Sequence, residues 1–331
     1  MVVLVTGATG LLGANVVRAL LALNYQVKVL VRKSSNLTVL DELNLSIMIG
    51  DVTAVDDVVD AAQGCDVIIH IAADTTQYYT RLAEYAQVNI ESVKYIIRAA
   101  ARRNVGKVIY VSSAAVFGYG SKEQPGTEAD TIKPPFCESL YVQSKLAGQQ
   151  LILSAAKALP SQTDYIVVNP SFMIGGYDSK PSSGKIIKMS YRKRLLLVPP
   201  GGKNFIHVKD VATGICNAIE KGKNGQCYLL TNENLSYSDF FKLVEDSSGY
   251  KSFHLHIPAS VLKLCGFVFT LFSKMGIRSS FNRINSNILC VGNYYSNKKA
   301  VMNLKMPLTP IKLAVGDAIS WFTQNAVVNQ R

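Results

Sequence analysis

The chain has little with which to build a stapled or metal-bound module. Its six cysteines, Cys65, Cys137, Cys216, Cys227, Cys265 and Cys290, contain no C-x-x-C pair. That excludes a zinc ribbon or a thioredoxin-like redox motif and fits the reduced, packed thiols of a cytoplasmic protein. The four histidines form no ligand set, and His254-x-His256 alternates like one face of a strand, so no metal is expected. The net charge is +12, yet no aromatic-basic repeat or nucleic-acid module accompanies it, and no nucleic-acid partner is expected. Basic residues are spread along the chain. The densest stretch, Lys180, Lys185, Lys188, Arg192, Lys193 and Arg194, reads as a solvated basic surface, with an anion-binding rim as the second reading. A long hydrophobic run is also missing. The strongest, Val261 to Phe272, includes Lys263 and is too short to cross a bilayer, so no integral membrane segment is expected. It reads first as a buried helix, second as the lining for an apolar substrate, and third as an element docking to a membrane surface.

What is present is a large, ordinary globular core. The 331 residues are 48% hydrophobic and 18% charged, which implies one large domain with a smaller one. The first strand, Val2 to Thr6, runs into Gly7, Gly10 and Gly13 and then into an amphipathic run from Leu11 to Leu23. Strand, G-x-x-G-x-x-G and helix together form a cradle for a dinucleotide. The first glycine allows the tight turn, the second lets a pyrophosphate approach the backbone, and the third packs the helix on the strand. The phosphates would sit at the helix N-terminus, where free N–H groups and the dipole favour negative charge. The motif starts too early to leave room for a charged and an apolar leader region in front of it, so no signal peptide is expected.

Later runs alternate in type. Strands are expected at Val27–Val31, Leu45–Ile49, Val67–Ile71, Val108–Ser112 and Tyr165–Asn169, with helices near 54–63, 82–103 and 141–158. This pattern predicts an α/β fold: a Rossmann-type doubly wound parallel sheet, with a smaller C-terminal α/β substrate-binding domain. The dinucleotide-binding domain is expected over 1–170, and the substrate-binding domain over 171–204 and 223–331. Between those two stretches, a strand at Phe205–Val208 and a helix near 209–221 are expected to return to the main sheet. A final amphipathic helix would carry Ile311, Ala314, Val315, Ala318, Ile319 and Phe322 on one face.

Tyr141 and Lys145 lie four residues apart on one expected helix face. A phenol with an ordinary pKa of about 10 needs an adjacent cation to act as an acid or base near neutral pH. The spacing alone decides little, because Tyr294/Lys298 and Tyr295/Lys299 share it. Position distinguishes Tyr141 and Lys145: they open the helix after a strand that ends in Ser112 and Ser113, whose hydroxyls can reach a substrate oxygen. At the end of the second strand, where an acid would bind the ribose hydroxyl of NAD, stand Arg32 and Lys33. An arginine there suits the extra phosphate of NADP. NADP(H) is therefore the preferred cofactor and NAD(H) the second choice.

The chain resembles the extended short-chain dehydrogenase/reductase superfamily, also called the NAD-dependent epimerase/dehydratase family. The resemblance rests on Thr6-Gly7-x-x-Gly10-x-x-Gly13, Gly50-Asp51-Val52, His70-x-Ala72-Ala73, Asn89, Ser112-Ser113, Tyr141-x-x-x-Lys145, Asn169-Pro170 and His207-Val208-x-Asp210-Val211-Ala212, in that order. It implies Ser113, Tyr141 and Lys145 as catalytic residues. Asp51 and Val52 would hold the adenine, Ala72 and Ala73 the middle of the cofactor, and Lys145 the nicotinamide ribose. The implied cofactor set is completed by Gly7, Thr9, Gly10, Leu11, Leu12, Gly13, Arg32, Lys33, Asn89, Ser112, Tyr141, Asn169 and Pro170. His70 is read as a core position, and His207 and Asp210 as loop anchors. The resemblance also implies a homodimer through the helices near 82–103 and 141–158.

Sugar dehydratases of the family carry an Asp-Glu pair after the catalytic serine, whereas this chain has Ala114-Ala115, with no acid to eliminate water. Val167 to Ser171, Val29 to Arg32 and the Lys180–Gly184 loop are similar to the dihydroflavonol-4-reductase-like branch, which includes hydroxysteroid-dehydrogenase-like and hopanoid-associated epimerase-like members. The expected activity is hydride transfer between NADP(H) and a carbonyl or secondary alcohol of a small, apolar substrate, with Tyr141 as general acid/base. Tyr78, Tyr79, Tyr85, Phe267, Phe269 and Phe272 are candidates to line its pocket, with core or surface packing as the other reading. A nucleotide-sugar epimerase using retained NAD, and a non-catalytic NADP-binding sensor, are the alternatives.

Overall fold

The computed structural model describes residues 1–158, 162–274 and 279–325. The first half alternates β1 (Val2–Thr6), α1 (Leu11–Ala22), β2 (Gln26–Val31), β3 (Ser46–Ile49), α2 (Val55–Ala61), β4 (Val67–His70), α3 (Ala83–Ala86), α4 (Ser92–Arg103), β5 (Lys107–Val111), α5 (Leu140–Lys157) and β6 (Asp164–Pro170). A π-type turn over Gln87–Glu91 joins α3 to α4. Then come β7 (Phe172–Ile174), α6 (Lys185–Ser190), β8 (Leu195–Val198), β9 (Gly202–His207), α7 (Val208–Lys221), β10 (Cys227–Leu230), β11 (Glu233–Ser236), α8 (Tyr237–Ser248), β12 (Phe253–His256), α9 (Ala259–Lys274), α10 (Arg283–Leu289), β13 (Gly292–Asn293), α11 (Lys298–Leu304) and α12 (Ile311–Gln324).

Seven parallel strands form the main sheet in the order β3-β2-β1-β4-β5-β6-β10. The strand order reverses between β1 and β4, and the crevice at the carboxyl ends of such a pair is where an open α/β sheet binds ligands. Alternate residues feed opposite faces. Val3, Val5, Val29, Ile69 and Ile109 pack with α1 and α7, while Leu4, Leu30, Ile68, Val108 and Tyr110 pack with α2, α4 and α5. Burial on both faces explains why these strands are continuous apolar runs.

The strand expected to rejoin this sheet at Phe205–Val208 does not. It lies within β9, the centre of a smaller sheet in which β11, β13 and β7 all pair with it. Phe205 is stacked on Phe240 of α8 with ring centroids 4.1 Å apart, which holds β9 in the second core. Only α7 returns, packing its Val211, Ile215 and Ile219 into the cluster shared with α1. The seventh strand is β10 instead, whose Tyr228, Leu229 and Leu230 are fully buried. The apolar residues expected on one face of the last helix, Ile311 to Phe322, fill the second core together with Ile174, Val198 and Phe240.

The helix over Val261–Phe272 is also not where the sequence places it. Leu262 is buried, and Gly266 allows close approach to α10, since a Cβ there would sit 2.0 Å from Ser286 Oγ. Phe269 packs edge-on against Phe281, and Val261, Leu264, Phe267 and Leu271 are exposed.

Candidate active site

A cleft of about 680 Å³ opens at the carboxyl ends of β1, β2, β4 and β5. Its floor is the turn from β1 to α1. Gly7 has φ +73°, and a Cβ on it would lie 2.7 Å from Ala72 N. A Cβ on Gly13 would lie 2.1 Å from the Gly7 carbonyl oxygen, so only glycine lets the helix start against the strand. The first helical bond runs from Ala14 N–H to the Gly10 carbonyl. The N–H groups of Leu11, Leu12 and Gly13 are therefore left without helical acceptors at the cleft floor. No acidic side chain occupies the first turn of α1. This end of the cleft fits a dinucleotide's phosphates.

The turn is braced by a relay of buried hydrogen bonds. Ala72 N–H donates to Thr6 Oγ1 at 3.3 Å, and Thr6 Oγ1 lies 2.8 Å from His70 Nδ1. His70 Nε2 lies 3.1 Å from Ser92 Oγ, which donates to the Val88 carbonyl. Burial, with the Lys145 charge adding to it, pushes the His70 imidazole down to about 3, so the ring is neutral. It ties β1 and β4 to α4, the core role read from its sequence position.

At the far end, Arg32 lines the cleft beside Ser35. Among the described residues no carboxylate pairs with Arg32, whereas Lys33 is exposed and does not line the cleft. Asp51 and Val52 form the opposite wall. The Asp51 carboxylate accepts from Thr53 N–H and Thr53 Oγ1, and Asp51 N–H donates to Asp57.

The other end holds Ser112, Ser113, Tyr141 and Lys145. Ser113 leaves β5 in an extended conformation and accepts Ala115 N–H at 3.3 Å, which turns the chain into a short helical turn. Asn169 does not line the cleft; its amide donates to the Ser113 carbonyl at 3.1 Å and to Gln149, fixing the serine from behind. The Ser112 hydroxyl is buried in the cleft wall, without a partner among the described residues. Lys145 is buried and donates to the Val111 carbonyl at 2.7 Å, with its ammonium 4.5 Å from the Tyr110 ring centroid. Burial pushes that ammonium down to about 7 and the Tyr141 hydroxyl up to about 12. The expectation that Lys145 lowers the tyrosine's pKa therefore meets the opposite balance. Desolvation dominates at Tyr141, and the lysine's proton is directed at a backbone carbonyl.

The cleft thus brings together Gly7, Thr9, Gly10, Leu11, Leu12, Gly13, Arg32, Asp51, Val52, Ala72, Ala73, Ser112, Ser113, Tyr141, Lys145 and Pro170. Asn89 is buried one layer behind. Its amide donates to the Asp74 carbonyl and to Ser144 Oγ, and its oxygen accepts Asp74 N–H. It anchors the segment after β4 and does not face the cleft. The other Tyr-x-x-x-Lys pairs, Tyr294/Lys298 and Tyr295/Lys299, lie outside it.

Tyr78, Tyr79, Tyr85, Phe267, Phe269 and Phe272 do not line it either. Tyr85 is buried and donates to the Thr76 carbonyl, Tyr79 donates to Asp74, and the three phenylalanines are on α9 away from the cleft, Phe269 packed edge-on against Phe272 and Phe281. Sequence reasoning missed Asp178. Its buried carboxylate accepts the N–H groups of Ser182 and Gly184 and folds the 178–184 loop against the cleft. Ser179 Oγ reaches the Thr9 carbonyl at 3.4 Å, docking this loop on the glycine turn. The only signal was an acidic residue ahead of the Pro181-Ser182-Ser183-Gly184 loop, and the four- and six-residue spans of its bonds match no local turn signature.

A family model described as the NAD dependent epimerase/dehydratase family matches residues 3–230. The chain belongs to this family. Family membership and the relatives make it an NAD(P)-dependent enzyme of the oxidoreductase/epimerase kind. One relative is a protein of Synechocystis sp. named as a dihydroflavonol 4-reductase; it is 30% identical, over 98% of this chain and 95% of its own length. Another is the sterol demethylase protein B of Methylococcus capsulatus, 27% identical over 99% of this chain and 100% of the relative. Among solved structures, the crystal structure of gox2253 is 30% identical, covers 99% of both chains and superposes with a TM-score of 0.86.

Proposed function

We propose that this family member is an NADP(H)-dependent oxidoreductase that interconverts a carbonyl and a secondary alcohol on a small substrate. The reading rests on one arrangement: a hydroxyl donor set of Tyr141 and Ser113 at one end of the cleft, and Arg32, free of any carboxylate among the described residues, at the other. A free guanidinium at the end of β2 offers two parallel donors to a ribose phosphate and repels nothing on it.

In this reading the N–H groups of Leu11, Leu12 and Gly13 receive the diphosphate, with Gly7, Thr9 and Gly10 shaping the turn. Asp51 and Val52 hold the adenine, Ala72, Ala73 and Pro170 border the middle of the cofactor, and Ser112 offers its unpartnered hydroxyl beside it. The nicotinamide, when bound, supplies or accepts the hydride. Ser113 Oγ orients the substrate oxygen, and the Tyr141 hydroxyl gives that oxygen its proton in the reductive direction. A tyrosine pushed up to about 12 is protonated at neutral pH, which suits a proton donor. Lys145 holds the ribose side of the site and, by its charge, would favour the phenolate left after transfer.

Fluorescence titration of purified protein with NADPH and NADH, together with analysis of the nucleotide it retains, tests this reading. Exchangeable NADPH bound at least about tenfold tighter than NADH is the expected result. Tightly retained NAD with no net NADPH oxidation would overturn it in favour of an epimerase.

A further inference from the structure

Helix α9 is apolar on nearly every side, a composition that normally marks a helix enclosed by protein. Among the described residues the covered side is the one carrying Leu262, Gly266 and Phe269, against Phe281 and α10. Leu264 is 65% exposed, Phe267 52%, Val261 47% and Leu271 45%. Leu264, Phe267 and Leu271, spaced three and four residues apart, make one continuous apolar stripe. Tyr78 and Leu82, also exposed, lie on the neighbouring segment after β4, to which Asn282 is joined by a hydrogen bond to the Gln77 carbonyl. Monomers rarely leave so much contiguous apolar surface in water.

Charge selects what covers it. From Ala259 to Cys290 the sequence holds Lys263, Lys274, Arg278 and Arg283 and no acidic residue, and from Lys251 to Arg331 the only acid is Asp317 against ten lysines and arginines. Among the described residues Glu138 pairs with Arg283 at 3.2 Å, and Glu84 on the neighbouring segment is held by the N–H groups of Thr80 and Arg81. Two copies of such a face would bring like charges together, whereas an anionic lipid surface answers both the apolar stripe, with Lys263 on the same helix, and the excess of base in this part of the sequence. No described helix is long and apolar enough to cross a membrane, so the helix can only lie in the interface.

We propose that α9 docks this protein peripherally on anionic lipid bilayers, with its Leu264–Phe267–Leu271 stripe in the acyl boundary. The docked face borders the segment after β4, whose Asp74 and Thr75 line the cleft, so the mouth of the active site would lie close to the membrane plane.

The test is co-sedimentation of the full chain with vesicles of phosphatidylcholine alone or mixed with phosphatidylglycerol. The wild type is compared with the triple variant Leu264→Gln, Phe267→Gln, Leu271→Gln and with Lys263→Glu. Glutamine is a good helix former, and these positions are exposed, so folding and NADPH binding should be unchanged. Those two readouts separate failure of docking from failure of the proposed function. Expected results are binding that needs phosphatidylglycerol, weakens with salt and falls at least about tenfold in the triple variant, with Lys263→Glu weakening it in part. Wild type left in the supernatant with both vesicles overturns the proposal. So does equal binding by the triple variant, or a wild-type dimer in sedimentation velocity that the triple variant dissolves.

Discussion

The ammonium of Lys145 donates to the carbonyl oxygen of Val111 across 2.7 Å, so the lysine of the Tyr-x-x-x-Lys pair is bonded to the end of β5. Its burial leaves the charged form unfavourable, with a pKa near 7 against an ordinary 10.5. Below about pH 7 folded and unfolded chains both carry this proton and the full cost of burying it is present. Above that pH the folded chain releases the proton while the unfolded chain keeps it, so stability rises with pH. Lys203, pushed down to about 8, acts in the same sense slightly higher. Cys216 and Cys227, pushed up to about 12 and about 11, act oppositely once unfolded thiols ionise. Urea unfolding without cofactor should therefore show a gain approaching about 1 kcal/mol between pH 7 and 8. Lys145→Met should flatten that rise, and an unchanged slope in the variant would count against the assignment.

Replacing Arg32 with Asp should weaken NADPH binding by about 10- to 100-fold, the worth of a charge-assisted hydrogen bond. NADH binding should hold or tighten, because a carboxylate accepts from the ribose hydroxyl. Equal changes in the two dissociation constants would show that Arg32 does not read the phosphate.

Asn89 joins the segment after β4 to α5 through three hydrogen bonds. Asn89→Ala strands the Asp74 amide and carbonyl and removes one donor to Ser144 Oγ, which keeps its own bond to the Tyr141 carbonyl, at an expected cost of about 2–4 kcal/mol in denaturant unfolding. Hydrogen exchange should quicken from Asp74 to Tyr79. A variant of wild-type stability with unchanged exchange would refute the anchoring role.

The glycine turn, the parallel sheet and the meeting of Ser113, Tyr141 and Lys145 in one cleft were legible because each is written in local pattern: three glycines after an apolar strand, strands alternating with helices, a serine at a strand end and Tyr141 one turn before Lys145. The rest depends on partners distant in sequence. Phe205–Val208 has the composition of any buried strand, and only its pairing with β7, β11 and β13 and its stacking on Phe240, all distant in sequence, assign it to the small sheet. Asn89 and Asn169 belong to the motif yet serve it from behind, a distinction made by Asp74, Ser144 and Gln149. Asp178 closes the 178–184 loop through backbone N–H groups that no composition records. The Val261–Phe272 run reads as core because hydropathy reports what a segment prefers, and the other elements of the fold leave most of that helix uncovered.

The most direct test of the central claim is NADPH oxidation against a panel of small ketones and aldehydes by wild type and Tyr141→Phe, with NADPH affinity measured on both. Wild-type turnover that falls at least about 100-fold in the variant, at unchanged NADPH affinity, is the predicted result. A Tyr141→Phe enzyme that keeps wild-type turnover would contradict the account.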